Sequence, residues 1–195
     1  MSVSVIRYVG ADGRPVVGED QLARIWRQMV AEAKVEDVFY AGGVASLEEF
    51  VAFAQRNAAH MVLAADAASG APRGLAWLTN VHDGSAFLHH CSLGGFSRAA
   101  ARAALAALEA LEQPDGQPLL DRLLGITPEA NTAALRVLRL MGFRSLGTIP
   151  GYCRLAHRGG RCGGVISFYE CRQRLGRRGA DGLREPVAAV LHSPP

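Results

Sequence analysis

The apolar positions of this chain follow strand spacing in some segments and helical spacing in others. Residues 3–9 are β-branched and apolar, which is typical of a strand, and the Gly and Pro residues after them end it. Residues 19–34 place Leu, Ile, Trp and Met side chains three and four positions apart, which predicts an amphipathic helix. Ser46, with Glu49 three positions later, forms a capping-box pattern, so a second helix is predicted to begin there.

The middle of the chain predicts a strand meander followed by a helix. Short apolar runs at residues 59–65, 74–80 and 85–92 are separated by turn-forming residues, so we expect three consecutive antiparallel strands. Residues 98–112 are rich in Ala and carry one apolar stripe, and Ser97 before them can act as a cap. This segment is predicted to be the third helix.

The last third of the chain predicts a strand, a helix and two further strands, at residues 122–126, 131–141, 143–148 and 165–172. The predicted element order is therefore β-α-α-β-β-β-α-β-α-β-β, which indicates the α/β (α+β) class. We expect one domain over residues 1–172 and an Arg-, Gly- and Pro-containing tail at residues 173–195.

Composition agrees with a single globular domain that needs no metal or disulfide to be stable. The 195 residues are 49% hydrophobic and 20% charged, and a chain of this length can bury a sizeable core. The formal charge is +3, and the tail carries four Arg against one Asp and one Glu, so the rest is nearly neutral. Because there is no basic stripe with interleaved aromatic residues, we do not expect a nucleic-acid partner.

The cysteines favour neither a disulfide framework nor a metal site. No Cys-x-x-Cys pair occurs, and Cys153, His157 and Cys162, which lie within ten residues of one another, have no zinc-ligand spacing. The first residues lack the pattern of a signal peptide, and no apolar run is long enough to cross a membrane. We therefore expect a cytoplasmic protein with reduced thiols, no metal and no membrane partner.

A motif in the last third of the chain resembles the GNAT superfamily of acyl-CoA-dependent N-acetyltransferases. In that superfamily a strand leads to an Asn, an Ala three residues later and an apolar helix that ends in Gly-Phe; Asn131, Ala134, Gly142 and Phe143 match it. The predicted element order also matches that family over residues 1–172. The resemblance implies a mixed, mostly antiparallel sheet of about seven strands with helices on both faces. It also implies acetyl-CoA as co-substrate and an amine as acetyl acceptor.

Two tetrapeptides make the resemblance more specific. Gly-Ile-Thr-Pro at residues 125–128 and Gly-Thr-Ile-Pro at residues 147–150 are most similar to a GNAT-like branch that is common in phages and prophages and has no assigned substrate. The resemblance therefore implies an acetyltransferase without naming its acceptor.

The segment between the third strand of the meander and the third helix is the candidate cofactor site. A GNAT-type site receives the cofactor pyrophosphate on backbone N–H groups at a helix N-terminus, where the helix dipole favours anions. Two glycines permit close approach, Ser97 offers a hydroxyl, and the Arg side chains can pair with phosphate. The resemblance adds the main chain near Cys91, which would polarise the thioester, and Asn131, which would hold the CoA arm or act only as a helix cap. The candidate cofactor-binding residues are Cys91, Ser92, Leu93, Gly94, Gly95, Phe96, Ser97, Arg98, Arg102 and Asn131.

Acetyl transfer also needs a base for the amine and a proton for the leaving thiolate. Strand alternation places His89 and His90 on opposite faces, so either can be the base, and either can instead be a hydrogen-bonded core histidine. Leu138 occupies the position where many GNAT enzymes have a proton-donating Tyr, and Tyr152 is the alternative phenol or else a packing residue of a surface loop.

Two departures from the family pattern support a second hypothesis. Phe96 and Ala99 stand where the family's phosphate-loop signature has Arg or Gln and Gly, and Leu138 replaces the usual Tyr. These residues are also compatible with a GNAT-shaped accessory protein that has lost catalysis. The chain is expected to be a monomer or a homodimer, since an exposed edge strand can support dimer formation.

Overall fold

The computed structural model describes residues 2–10 and 12–171, which form one seven-stranded sheet with helices on both faces. The strands are β1 (Val3–Arg7), β2 (Met61–Asp66), β3 (Pro72–His82), β4 (Ser85–Ser92), β5 (Arg122–Pro128), β6 (Arg144–Leu155) and β7 (Gly160–Glu170). The helices are α1 (Glu19–Ala31), α2 (Val35–Val38), α3 (Leu47–Arg56), α4 (Arg98–Glu109) and α5 (Thr132–Leu140), with short 3₁₀ turns at Ala58–His60 and Ala156–Arg158.

The sheet order is β1-β2-β3-β4-β5-β7-β6, and every neighbouring pair is antiparallel except β4 and β5. The predicted meander of β2, β3 and β4 is confirmed. The predicted tail at residues 173–195 lies outside the described residues.

The structure confirms the predicted caps. The Ser46 hydroxyl accepts the Glu49 amide N–H at 3.2 Å, and the Glu49 carboxylate accepts the Ser46 amide N–H at 3.2 Å. Asn131 and Ser97 cap α5 and α4 in the same way, each accepting the N–H three residues later. These signals are local, so the sequence alone identifies where each helix begins.

The element bounds differ from the prediction mainly where backbone geometry overrides the apolar pattern. Helix α1 ends at Ala31 because Ala33 turns left-handed with φ +51°, and the unpredicted helix α2 follows. Strand β6 continues to Leu155 rather than ending at Thr148, because bulges absorb the irregular segment around Pro150. Its partner β7 correspondingly begins at Gly160.

The central strands bury both of their faces. Met61, Leu63, Leu75 and Trp77 point into a first apolar cluster beneath α1 and α3. The alternate residues of β2, β3 and β4 enter a second cluster beneath α4 and α5, namely Val62, Ala76, Leu78 and Ala86. Strands buried on both sides in this way are typical of a sheet between two helical layers. Within the described residues, no helix has the length and apolar character needed to span a membrane.

Candidate functional site

The two parallel strands in the middle of the sheet separate at one end. Strands β4 and β5 pair at only three positions, the last being Phe87 with Leu124. Beyond this pair β4 follows β3 as far as Ser92, and β5 follows β7 as far as Pro128. The result is a wedge-shaped gap within the sheet, edged by main chain that is not used in β4–β5 pairing.

A cavity of about 480 Å³ occupies this wedge, which is within the usual range for small-molecule sites. Its wall on the β4 side includes His89, His90, Cys91 and Ser92, and its wall on the β5 side includes Thr127, Pro128 and Asn131. Helix α1, helix α2 and the residues next to them supply Glu32, Lys34, Asp37, Val38 and Tyr40.

The wedge can be approached from both faces of the sheet. A smaller cavity of about 50 Å³ lies on the side of α4 and α5, and it shares Leu88, His90, Cys91 and Ser92 with the larger one. The two cavities therefore meet at the same stretch of β4 from opposite sides.

The glycine loop that follows β4 has the backbone geometry that only glycine adopts easily. Gly94 and Gly95 have φ values of +63° and +80°. The Gly94 amide donates a hydrogen bond to Glu32 Oε1 at 2.8 Å, and Arg73 Nη1 donates to the Gly94 carbonyl at 3.5 Å. A side chain from the end of α1 and one from β3 thus hold this loop, and the sequence reasoning identified neither of them.

Helix α4 begins at the end of this loop with its N-terminus beside the wedge. Ser97 Oγ accepts the Ala100 amide N–H at 3.2 Å, and the Ala101 amide begins the intrahelical bonds by donating to the Ser97 carbonyl. The amides of the first turn and the helix dipole together favour an anion at this position. Arg98 and Arg102 are exposed on this helix, one turn apart.

Asn131 lies across the wedge and begins α5. Its Oδ1 accepts the Ala134 amide N–H at 3.0 Å, so the predicted cap is confirmed, and the residue also lines the cavity. Gly142 adopts φ +95° just after this helix, a left-handed conformation that ends it before Phe143.

The two histidines have different surroundings. His89 stacks on Trp77 with ring centroids 5.1 Å apart, and its Nε2 lies 2.9 Å from Thr79 Oγ1. His90 is half-buried in the wall shared by the two cavities. Burial lowers the pKa of His89, and burial together with the neighbouring His89 lowers the pKa of His90 to about 4. Both histidines therefore have a pKa below the ordinary value of about 6.5, and at neutral pH each imidazole is uncharged.

The phenol that lines the cavity is Tyr40 and not Tyr152. Tyr152 lies on β6, is 47% exposed, and is not among the residues of the cavity wall. Burial, followed by the nearby Cys153 thiol, raises the pKa of Tyr40 to about 12. Leu138 is buried in the second apolar cluster.

Of the predicted site residues, the structure brings His89, His90, Cys91, Ser92, Gly95, Phe96 and Asn131 into one cavity wall. Ser97 lines the smaller cavity, while Leu93, Gly94, Arg98, Arg102 and Tyr152 line neither. The contributions of α1 and α2 were missed because those segments carry no motif. The four thiols are free, and no group of three metal-ligating side chains occurs among the described residues.

Comparisons with known proteins support the fold through structure and not through sequence. No protein-family model and no curated protein matches this sequence. A GNAT-family acetyltransferase from Bacillus anthracis superimposes with a TM-score of 0.65 at 13% identity, covering 87% of this chain and 95% of that one.

Two structures with bound ligands are similar to a comparable degree. The spermidine N-acetyltransferase of Vibrio cholerae, in complex with CoA and spermine, gives a TM-score of 0.64 at 13% identity over 89% of this chain and 98% of that one. Mycobacterium smegmatis RimJ, in complex with CoA-disulfide, gives 0.62 at 18% identity over 91% of this chain and 88% of that one. Together with the sheet order and the wedge, these similarities show that the chain has the GNAT acetyltransferase fold.

Proposed function

We propose that this protein transfers an acetyl group from acetyl-CoA to an amine, on a small molecule or on another protein. The observation that carries the proposal is the wedge between β4 and β5, with a glycine loop and a helix N-terminus at its end. An elongated ligand with an anionic group in its middle fits this arrangement. The glycine loop and the first turn of α4 attract the anion, and the open strand edges can hydrogen-bond the part of the ligand that extends into the wedge. Structural neighbours with bound CoA support the same interpretation.

In this proposal the loop from Gly94 to Arg98 receives the pyrophosphate. The Gly94 amide already donates to Glu32, so the other amides of the loop and of the first turn of α4 would make the phosphate contacts. Arg98 and Arg102 add positive charge at the same end, and Leu93 and Phe96 flank the two glycines. Asn131 holds the opposite side of the wedge while it caps α5.

The main chain near Cys91 would polarise the thioester carbonyl through the Ser92 N–H. The Leu93 N–H bonds to Arg73 on β3, so strand alternation directs the Ser92 N–H to the open edge. His90 is neutral at physiological pH and accepts a hydrogen bond from the amine or from a water beside it. Its low pKa makes His90 a group that orients the amine more than a strong base. His89, already bonded to Thr79, supports the wall behind it.

The leaving thiolate would be stabilised from the side of Tyr40. A phenol with a pKa of about 12 holds its proton more tightly than a thiol does, so Tyr40 donates a hydrogen bond without giving up the proton. Tyr152, on β6 and outside the cavity wall, is the alternative phenol for this role. The proton that the amine loses on acylation passes through water at the open side to the thiolate.

A catalytically silent binding protein is the second candidate. The Glu32 carboxylate on the Gly94 amide favours it, since a carboxylate at that position repels a phosphate. This candidate remains a proposal. So do the cytoplasmic location, the similarity to a phage or prophage branch, and the monomeric or homodimeric state.

Thermal unfolding with and without acetyl-CoA tests the cofactor site. A ligand present at 100 times its dissociation constant stabilises the folded state by about 2.7 kcal/mol. For a chain of this size we expect the melting temperature to rise by about 5–10 °C. Changing Arg98→Ala should reduce this rise, whereas Arg27→Ala, an exposed arginine on α1, should leave it intact.

An absent shift would refute the cofactor site. A shift without release of CoA in the presence of a broad amine panel, measured by chromatography, would favour the silent binding protein over the transferase.

A further inference from the structure

Lys34 is the only lysine in the 195 residues, although the chain carries 21 basic Lys and Arg side chains in total. It lines the wedge cavity, and no other lysine or arginine is among the described residues of that wall. The one lysine of the protein therefore lines the cavity assigned to an acetyl donor.

The backbone of Lys34 is held firmly at the end of α1. Its amide donates to the Met29 carbonyl at 2.8 Å, and the Ala33 amide donates to Val30 at 3.1 Å, which is the hydrogen-bond pattern of a Schellman motif. The Lys34 carbonyl accepts the Val38 amide of α2 at 3.0 Å. The side chain thus starts from a fixed position and is half-buried.

Lys34 and Cys91 of β4 line the same cavity, and the charge of Lys34 acts on the Cys91 thiol. Burial raises the pKa of the Cys91 thiol to about 12, and the positive charge of Lys34 acts against this effect. Cys91 also precedes Ser92, whose main chain is assigned to the thioester carbonyl in the proposed function. Glu32 and Asp37 line the same wall.

We propose that Lys34 is an acetylation site of this protein, modified by the acetyl-CoA bound in its own wedge; the inference rests on the proposed function. Lys34 Nζ, after losing a proton, forms a bond to the acetyl carbon, and the carbon–sulfur bond breaks. The thiolate of CoA takes up one proton, and the second proton shed by the original ammonium passes through His90 or water to solvent. The products are Nζ-acetyl-Lys34, free CoA and one released proton.

Proximity makes this reaction fast relative to acetylation of an exposed lysine. Holding an amine and a thioester in one cavity corresponds to an effective concentration far above any free amine in solution. Acetylation removes the only lysine or arginine charge of the described wall and leaves Glu32 and Asp37. The modified cavity would then favour a cationic acceptor over a neutral or anionic one.

The test uses the full-length chain and acetyl-CoA, with intact-mass and peptide mass spectrometry over time. The variant Arg27→Lys provides a matched comparison, because it introduces a second lysine on the exposed surface of the neighbouring helix α1, away from the cavity. We expect acetyl groups to appear on Lys34 at least about tenfold faster than on the introduced lysine. The rate per molecule should not depend on protein concentration, and Lys34→Arg should lose the modification.

Thermal shift by acetyl-CoA in the same samples separates the two proposals. A clear shift with an unmodified Lys34, or with the introduced lysine modified equally fast, would overturn the acetylation site and leave the cofactor site standing. If no shift occurs at all, both proposals are wrong.

Discussion

His90 combines a position in the wedge with a pKa lowered to about 4 by burial and by His89. In the unfolded chain the same imidazole has a pKa near 6.5. Between these two values the unfolded state binds the proton and the folded state does not. The contribution of His90 to stability is therefore fully present above pH 6.5 and is lost as the pH falls toward 4.

The variant His90→Gln should make stability less dependent on pH. We expect the wild-type free energy of unfolding to fall between pH 7.5 and pH 5, with His90 accounting for about 1–2 kcal/mol of that fall. Urea unfolding at the two pH values measures this difference for the wild type and the variant. His82→Gln, at an exposed turn, should behave as the wild type, and an equal flattening by both variants would contradict the assignment to His90.

At the level of elements, the end of α1 positions two residues of the site with one backbone motif. Ala33 adopts φ +51°, a left-handed conformation that costs a residue with a Cβ about 1 kcal/mol or more. Glu32, just before it, reaches the glycine loop, and Lys34, just after it, lines the cavity. The strain at Ala33 is thus located where the chain turns toward the wedge.

Replacing Ala33 with glycine should relieve this strain. We expect Ala33→Gly to raise the free energy of unfolding by a few tenths to about 1 kcal/mol. Glycine adopts the left-handed conformation without the clash of a Cβ, and this gain exceeds the additional chain entropy that glycine loses on folding. Ala23→Gly, within the same helix, should instead lower it by about 1 kcal/mol. Urea unfolding measures both changes, and a loss of stability in both variants would show that Ala33 is not strained.

The elements that the sequence predicts well are those with local signals. Capped helices and alternating strands depend on residues a few positions apart, so Ser46, Ser97 and Asn131 mark helix starts through their spacing alone. The contacts that shape the candidate site span long stretches of chain: Glu32 reaches Gly94 across 62 residues, and Arg73 reaches the same loop across 21. No local pattern marks such pairs, which is why the sequence located the glycine loop but not the side chains that hold it.

At the level of the whole molecule, the wedge lies in a sheet that both apolar clusters share. Strands β2 and β3 send alternate side chains into the first cluster beneath α1 and α3 and into the second beneath α4 and α5. Because both clusters pack against β2 and β3, the loss of packing in one cluster would expose strands that also form part of the other cluster. The wedge is the place where the sheet itself is interrupted, so a bound ligand joins its two halves.

This shared sheet predicts that the two faces unfold together. Both tryptophans of the chain, Trp26 and Trp77, belong to the first cluster, so fluorescence reports on that face alone. Far-ultraviolet circular dichroism reports on all helices and strands, including α4 and α5. We expect the urea midpoints of the two signals to coincide and to shift upward together when acetyl-CoA is added, as a cooperative transition requires. If the fluorescence changed at lower urea than the dichroism, the face of α1 and α3 would be an independent unit. Ligand binding would then have to stabilise each face separately.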